Sequence, residues 1–228
     1  MVIAIDGFSS TGKSTLAKQL AAHLGFVYVD TGAMYRAVTL YALRNGLEED
    51  EERLISHLTQ VHIELKQAEN EAQKTFLNQE DVTEAIREMD VSKWVSPIST
   101  ISQVRKFLVD QQRKMGDNQD LVMDGRDIGT VVFPNAELKI FVTAAPSIRA
   151  ERRYNELKEN GKQVSMTDVM QNLQERDHID STRKDSPLRQ ADDAKVLDNS
   201  LLSMEDQLSV AVNWYQEVLN EASNSSKA

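Results

Sequence analysis

Cysteine is absent from the sequence, and its absence excludes several kinds of chemistry. The protein cannot form disulfide bonds, bind zinc through thiolates or use a cysteine nucleophile. The four histidines, at positions 23, 57, 62 and 178, have neither the spacing of metal ligands nor that of a catalytic dyad. A chain without cysteine fits a reducing compartment, and we predict a cytoplasmic protein.

Long apolar segments and positive charge are lacking too. No run approaches the ~18 apolar residues of a membrane-spanning helix. Residues 1–5 pass directly into Asp6 without the basic start of a signal peptide, so none is expected. The formal net charge is −10 at pH 7, whereas nucleic acids and anionic membranes attract proteins with a broad basic field. We therefore expect no nucleic-acid or membrane partner, and we expect a monomer.

The order of strands and helices indicates an α/β protein with a parallel sheet. Apolar segments typical of buried strands alternate with segments typical of helices, which places helices on both faces of one sheet. The predicted strands are residues 2–5, 26–29, 121–123, 138–142 and 195–197. The predicted core helices are residues 13–24, 32–45 and 203–219. At 228 residues, the chain fits one such core with an insertion better than two independent domains.

An insertion is predicted at about residues 48–90, where the alternation is interrupted. This segment begins with acidic residues and then offers residues 61–65 and 75–77 as the strands of a hairpin around a polar turn. The pattern predicts a small inserted subdomain. At the other end of the chain, residues 220–228 form a polar tail that we expect to be frayed.

A second interruption, residues 147–187, is rich in arginine. It reads as two helices around Gly161. Such a concentration of arginine in an acidic protein indicates either a small, highly charged anionic ligand or a solvated helix face.

The first predicted strand leads into a phosphate-binding motif. Residues 7–14, Gly-Phe-Ser-Ser-Thr-Gly-Lys-Ser, match the pattern G-x-x-x-x-G-K-[ST] at every required position, between a predicted strand and a predicted helix. Backbone N–H groups and the positive end of the helix dipole would face the phosphates. Lys13 would reach the β- and γ-phosphates, and the Ser14 hydroxyl would take a magnesium position. The nucleotide-binding residues predicted here are Gly7, Phe8, Ser9, Ser10, Thr11, Gly12, Lys13, Ser14 and Thr15.

Motifs of several other nucleotide-binding classes are missing. The sequence has no N-K-x-D motif of GTPases and no L-S-G-G-Q signature of transport ATPases, and it is too short for a two-lobed helicase core. Small-molecule kinases remain, with ATP as the phosphoryl donor. The residues discussed so far leave open a kinase for shikimate or a nucleoside monophosphate, or a protein that only binds nucleotide.

Two more turns follow predicted strands and carry charged residues. Residues 30–36, Asp-Thr-Gly-Ala-Met-Tyr-Arg, form a strand–turn–helix corner where a helix N-terminus and Arg36 would meet an acceptor phosphate. Residues 124–134 read Asp-Gly-Arg-Asp-Ile-Gly-Thr-Val-Val-Phe-Pro. An acidic residue at such a strand end holds magnesium in P-loop enzymes, so Asp124 is the predicted metal residue. Arg126 and Asp127 leave the same edge, where ligands of open α/β sheets bind.

These segments together resemble the bacterial cytidylate kinases, which phosphorylate CMP and dCMP. The similarity covers essentially the whole chain and includes Glu175-Arg176-Asp177 followed by Asp180 and Arg183. It implies a single domain over residues 1–228: a three-layer P-loop core with a five-stranded parallel sheet, residues 48–90 as an inserted NMP-binding subdomain, and residues 147–187 as a short helical lid. The implied reaction is Mg²⁺-assisted in-line transfer of the γ-phosphoryl group of ATP to CMP or dCMP.

The resemblance also implies roles for individual residues. Arg36 and Arg126 would bind the acceptor phosphate, and Arg176 and Asp180 would contact the sugar. The nucleoside pocket would be lined by Thr31, Ser96, Arg105 and Asp127, with Asp127 accepting from the cytosine amine. Arg183, with Arg149, Arg152 and Arg153, would serve the lid over the transferring phosphoryl group, and Arg152 and Arg153 would bind ATP. The catalytic residues would be Lys13, Arg126 and Arg183.

Overall fold

Strands of two separate sheets make up the β-structure. A computed structural model of the protein describes residues 1–66 and 73–225. In chain order, the strands are β1 (Val2–Gly7), β2 (Val27–Asp30), β3 (Ile63–Lys66), β4 (Lys74–Leu77), β5 (Glu80–Asp81), β6 (Leu121–Gly125), β7 (Leu138–Thr143) and β8 (Lys195–Asp198). The larger sheet has the order β2-β6-β1-β7-β8, and all its pairs are parallel. The predicted five-stranded parallel sheet is confirmed.

Helices cover this sheet and form the rest of the molecule. In chain order they are α1 (Lys13–Leu24), α2 (Thr31–Arg44), α3 (Glu51–His57), α4 (Met89–Ser99), α5 (Ser102–Met115), α6 (Pro146–Glu159), α7 (Met166–Thr182) and α8 (Met204–Ser225). Short 3₁₀ turns lie at Leu58–Gln60 and Ala85–Arg87, and a π-helical turn at Ile128–Val132. Within the described residues, no helix is long and apolar enough to cross a bilayer.

The central strand β1 fixes where the chain's loops meet. It pairs with β6 on one side and β7 on the other, and Ile3 and Ile5 are fully buried. Because every strand of this sheet runs in the same direction, the loops after β1, β2, β6 and β8 all emerge at one edge. The same edge therefore receives the phosphate-binding loop, the corner at residues 30–36 and the turn that follows Asp124.

The segment between α2 and β6 is larger than the predicted insertion. It contains α3, the antiparallel sheet β3-β4-β5, and the unpredicted helices α4 and α5. The expected hairpin pairing is present, but its polar turn falls at residues 67–72, outside the described residues. Buried apolar residues of this segment, such as Leu54, Ile86 and Ile98, pack in one cluster with Met34 and Val38 of α2. Hydrophobic contact with α2 therefore holds the segment beside the sheet edge.

The arginine-rich segment folds as two helices, as predicted. Gly161, which adopts a left-handed conformation with φ 72°, lies between α6 and α7. The two helices bury a small cluster of their own, consisting of Ala150, Leu157, Val169 and Leu173.

The chain's last helix is longer than predicted. Helix α8 continues to Ser225, beyond the expected end at Leu219, and the Ser223 hydroxyl donates to the Leu219 carbonyl at 2.8 Å. The expectation of a frayed tail from residue 220 is therefore wrong for residues 220–225. The part at residues 226–228 lies outside the described residues.

Candidate active site

A cavity of about 520 Å³ lies at the sheet edge where the loops converge. It brings together most of the predicted site residues from distant parts of the sequence. Those that line it are Ser9, Ser10, Gly12, Lys13, Ser14, Thr15, Thr31, Arg36, Ser96, Arg105, Asp124, Arg126, Asp127, Arg152, Arg153, Arg176, Asp180 and Arg183. The predicted residues Gly7, Phe8 and Thr11 do not line the cavity, although they belong to the loop that forms its floor.

The phosphate-binding loop is held in shape by contacts to its carbonyl groups. The Phe8 carbonyl accepts hydrogen bonds from Lys13 Nζ and from the Thr11 hydroxyl, both at 3.1 Å. Gly7 is required at the start of the loop, since a Cβ there would lie 2.2 Å from the Val142 carbonyl oxygen. Because the Phe8 carbonyl is bonded within the protein, the N–H groups of the loop are free to face an anion.

Lys13 is buried on the floor of the cavity. Burial, with a smaller contribution from the positive charge of Arg126, lowers the pKa of Lys13 to about 7. A lysine desolvated in this way needs a negative partner to regain its full charge, and a bound polyphosphate would supply one.

Asp124 and Ser14 form a pair of oxygen ligands beside Lys13. The Ser14 hydroxyl donates to Asp124 Oδ2 at 2.7 Å, and the Tyr28 hydroxyl donates to Asp124 Oδ1 at 2.8 Å. Burial, followed by the nearby negative charge of Asp30, raises the pKa of Asp124. The described residues contain no cluster of three or more His, Asp or Glu side chains that could hold a metal by themselves. Mg²⁺ commonly takes one or two protein oxygens plus phosphate and water oxygens, so this pair fits it.

The corner after β2 is built around Asp30. Its carboxylate caps α2 by accepting from the Ala33 N–H at 2.9 Å, and it also accepts from Arg36 Nη2 at 3.0 Å. The Thr31 hydroxyl donates to the backbone carbonyl of Asp124 at 2.7 Å, so in this state it links two strand ends. Arg36 Nε is buried and has no hydrogen-bond partner among the described residues. A ligand at this corner could occupy that donor.

Arg126 joins three parts of the cavity. Its Nη2 donates to the Ser9 hydroxyl of the phosphate-binding loop at 2.8 Å, and its Nε donates to Asp180 of α7 at 2.9 Å. The residue itself follows β6, at the sheet edge. One guanidinium thus lies between the phosphate-binding loop, the end of β6 and helix α7.

Asp127 is buried next to two arginines. Arg105 Nη2 donates to Asp127 Oδ2 at 2.5 Å, and Arg183 Nη2 lies 3.8 Å from Asp127 Oδ1. The guanidinium of Arg105 also lies over the ring of Tyr35. Burial and the neighbouring charge of Arg105 lower the pKa of Arg183. Arg183 was predicted to act from the lid over the transferring group, and in this state it is buried beside Asp127.

The remaining arginines of α6 and α7 are divided between the two sides of the cavity. Arg176 Nη1 contacts the Ser92 hydroxyl of α4 at 3.4 Å. Burial, helped by the charge of Arg126, lowers the pKa of Arg176 to about 10. Ser96, also on α4, is buried, and its carbonyl accepts from the Ser99 hydroxyl at 2.8 Å. Helix α4 therefore packs beside α7 and lines the cavity with the hydroxyl-bearing residues Ser92, Ser96 and Ser99.

Three arginines of α6 lie on the side of the phosphate-binding loop. Arg149 donates to the Ser9 carbonyl at 3.3 Å and pairs with Asp177 at 2.7 Å. Arg152 donates to the carbonyls of Thr11 and Asn199, at 3.2 and 2.7 Å. Arg153 pairs with Glu156 on the same helix at 2.9 Å. Of the three, only Arg152 and Arg153 line the cavity.

Sequence reasoning missed several residues that shape this site. The carboxylate of Asp6 is buried and accepts from the N–H groups of Ile128 and Gly129, each at 2.8 Å. Burial raises the pKa of Asp6 to about 7, although these two N–H groups oppose the rise. The sequence offered one signal for this role: Asp6 is a charged residue that directly follows the apolar residues 2–5 and precedes Gly7. Tyr35, Ser92 and Ser99 carry no comparable signal.

Comparison of the sequence with known proteins identifies one family. A family described as cytidylate kinase matches residues 3–217. A cytidylate kinase of Phocaeicola vulgatus is 52% identical, with 96% of this chain and 98% of the relative covered. One of Flavobacterium psychrophilum is 53% identical, with 96% and 99% covered. The solved structure of an uncharacterised protein from Eubacterium ventriosum matches with a TM-score of 0.50 at 10% sequence identity. The match covers 94% of this chain and 97% of that chain, and the similarity concerns the fold alone.

Proposed function

The chain belongs to the cytidylate kinase family, and from this membership we propose how its cavity transfers the γ-phosphoryl group of ATP to CMP or dCMP. The products are CDP or dCDP, and ADP. The observation that carries the proposal is the position of Arg126, which touches the donor loop through Ser9 and the lid through Asp180. A guanidinium at that place can contact both the acceptor phosphate and the group in transfer.

The donor side consists of the phosphate-binding loop and Lys13. The loop's N–H groups and the N-terminus of α1 bind the phosphates, and Lys13 neutralises charge on the transferring group. Arg152 and Arg153 line the same side of the cavity and approach the donor from the lid. Phosphoryl transfer needs positioning and charge neutralisation more than covalent catalysis, and backbone N–H groups, a lysine and arginines can provide both.

The acceptor side consists of the corner after β2, the turn after β6 and α4. Arg36 and Arg126 bind the acceptor phosphate, Arg176 and Asp180 contact the sugar, and Asp127 reads the base. The unpartnered Arg36 Nε supports the first assignment, because a buried guanidinium N–H without an acceptor is costly until a ligand arrives. The acceptor phosphate is already a nucleophile near neutral pH and needs no general base.

Ser14 and Asp124 are the residues that would hold Mg²⁺. Their oxygen atoms lie 2.7 Å apart, next to Lys13, and hydroxyl and carboxylate oxygens suit this ion. When bound, the ion supplies charge neutralisation on the phosphate oxygens.

The setting we propose is a cytoplasmic monomer that acts on free nucleotides. The net charge of −10 supports the exclusion of nucleic acid and anionic membrane as partners, since both would repel the protein. Closure of α6 and α7 over the cavity would keep water from competing for the phosphoryl group.

Binding of ATP at pH 8 should take up a proton. With a pKa of about 7 in the empty site, Lys13 is mostly neutral at pH 8, and the polyphosphate charge raises that pKa. Calorimetric titration of ATP alone, in two buffers with different ionisation enthalpies, measures the uptake, which we expect to approach one proton per site. At pH 6, Lys13 is already charged and the uptake should largely disappear. Equal uptake at both values, or none at pH 8, would contradict this assignment.

The choice of base tests the acceptor assignment. A carboxylate can accept from the exocyclic amine of cytosine, whereas it repels the carbonyl that uracil has at the same position. CMP should therefore be used at least roughly tenfold better than UMP in kcat/KM. Asp127→Ala should reduce this preference mainly by harming CMP.

Asp127→Asn provides a second variant that keeps the side chain's volume between Arg105 and Arg183. Its amide can donate to the uracil carbonyl, so the ratio of UMP to CMP use should rise further than with alanine. Asp117→Ala, an exposed acidic residue outside the cavity, is the matched control and should leave the preference unchanged. Equal use of CMP and UMP by the unaltered protein would contradict the role of Asp127, and preference for AMP would contradict the acceptor assignment.

A further inference from the structure

Asn199 contacts the phosphate-binding loop from outside the known motif. It follows β8 and is 4% exposed. Its side-chain Nδ2 donates to the carbonyl oxygen of Thr11 at 2.8 Å. The backbone of Asn199 is itself fixed, because its N–H donates to the Thr143 carbonyl at 2.8 Å, continuing the β7–β8 pairing. The side chain is therefore a donor presented from a rigid sheet edge.

The Thr11 carbonyl belongs to the peptide group that also carries the Gly12 N–H. In a planar trans peptide, the C=O and the N–H point in opposite directions. A donor that holds the Thr11 oxygen on the Asn199 side therefore holds the Gly12 N–H toward the opposite side. Gly12 lines the cavity and Asn199 does not, so we infer that this opposite side is that of the cavity. The direction of this N–H decides whether it can bind a phosphate oxygen.

Gly12 is adapted to the same contact. It has a left-handed conformation with φ 90°, and a Cβ at this position would lie 2.4 Å from Asn199 Nδ2. Asn199 thus occupies the space that any side chain at position 12 would need. The close approach of the amide to the loop backbone is possible only because residue 12 is glycine.

Arg152 is a second donor to the Thr11 carbonyl, at a longer distance than Asn199. Arg152 Nη1 reaches the Thr11 carbonyl at 3.2 Å, and its Nη2 donates to the Asn199 carbonyl at 2.7 Å. This arginine belongs to α6 of the lid and lines the cavity, where it is proposed to contact ATP. If Arg152 turns to the nucleotide, Asn199 becomes the donor that keeps the Thr11 carbonyl in place.

We propose that Asn199 is a positioning residue for the donor site, which orients the Gly12 N–H toward the phosphates of ATP through the Thr11 carbonyl. The inference rests on the proposed function, since it concerns the same donor site. The loop after β8 would thereby take part in ATP binding, although it lies outside the phosphate-binding motif of residues 7–14.

Asn199→Asp is the sharpest variant, because it preserves the shape of the side chain and replaces the donor with a carboxylate facing a carbonyl. Asn199→Ala removes the donor without adding a repulsion. Ser200→Ala is the matched control. Ser200 lies in the same loop as Asn199, and its hydroxyl accepts from the Ala145 N–H and donates to Asp198, with no hydrogen bond to the phosphate-binding loop. All three proteins should be compared by equilibrium titration with ATP alone and with CMP alone, and by thermal melting.

The dissociation constant for ATP should rise about tenfold in Asn199→Ala, the order expected for one lost hydrogen bond, and more in Asn199→Asp. The constant for CMP should stay within about twofold in both, and Ser200→Ala should change neither. Equal weakening of ATP and CMP binding would make Asn199 a general structural residue and overturn the proposal. Unchanged ATP binding in Asn199→Asp would overturn it as well. CMP-dependent formation of ADP by the unaltered protein tests the proposed function separately from these variants.

Discussion

Lys13→Met should lower the rate of phosphoryl transfer at least a hundredfold while the protein remains folded. The side chain supplies the positive charge nearest to the floor of the cavity, and loss of one main electrostatic stabiliser of a transition state costs on the order of 10²–10³ in rate. Its only hydrogen bond within the protein, among the described residues, is to the Phe8 carbonyl at 3.1 Å. Methionine fills a similar volume and removes a charge that burial disfavours.

The measurement combines initial rates at saturating ATP and CMP with a thermal melting curve. Lys106→Met, an exposed lysine on α5, is the matched control and should keep both the rate and the melting temperature. A Lys13→Met protein with most of its activity would rule out the assigned role of the phosphate-binding loop. A large fall in melting temperature would instead assign Lys13 a structural role.

Arg126→Met should have the second largest effect, on use of the acceptor. Each charge-assisted hydrogen bond to a phosphate contributes ~1.5–3 kcal/mol, equivalent to roughly 10- to 150-fold in affinity. The KM for CMP should rise within that range, while the dissociation constant for ATP changes little. The folded state should tolerate the loss of Arg126, because the Asp180 carboxylate keeps a positive neighbour. Arg183 Nη1 lies 3.6 Å from Asp180 Oδ1.

Arg36→Met should act in the same direction, since Arg36 shares the acceptor phosphate in the proposed arrangement. Arg44→Met is the control, because Arg44 pairs with Glu80 on the surface, away from the cavity. Initial rates over a range of CMP concentrations and titration with ATP alone distinguish the two sides. A loss of ATP affinity without a change for CMP would mean that the donor and acceptor sides are assigned in reverse.

The parts of the fold that the sequence predicted best depend on local signals. The strand, loop and helix around residues 7–14 follow from glycine spacing and from one apolar segment, and α1 has the predicted bounds. The corner at residues 30–36 and the turn after Asp124 were likewise predicted as parts of a site, because each follows an apolar strand directly. The converging loops of a parallel sheet then bring them together without further information.

Helices α4 and α5 could not be predicted in the same way. Pro97 lies within α4, and a proline inside a helical pattern normally argues against a helix there. It is tolerated close to the helix end. Ser96 and Arg105, which these helices supply to the cavity, were therefore assigned from the family resemblance alone.

The contacts of Asp6 and Asn199 escaped prediction for another reason. Asp6 is bonded to the backbone of Ile128 and Gly129, and Asn199 to that of Thr11, across 122, 123 and 188 positions of the chain. A contact from a side chain to a distant backbone group leaves no pattern in either segment, because any residue type can supply the backbone partner.

Helices α6 and α7 share a small buried apolar cluster, which is separate from the larger clusters around the sheet. If this pair opens as we propose, the cluster stays intact, and the contacts that break are polar ones: those of Arg149 to the Ser9 carbonyl, Arg126 to Asp180 and Arg176 to Ser92. In the proposed movement, substitutions at these polar contacts should change the rate at which nucleotides enter and leave, whereas Leu157 and Leu173 hold the two helices to each other. Under this proposal, nucleotide exchange and the stability of the sheet depend on different contacts.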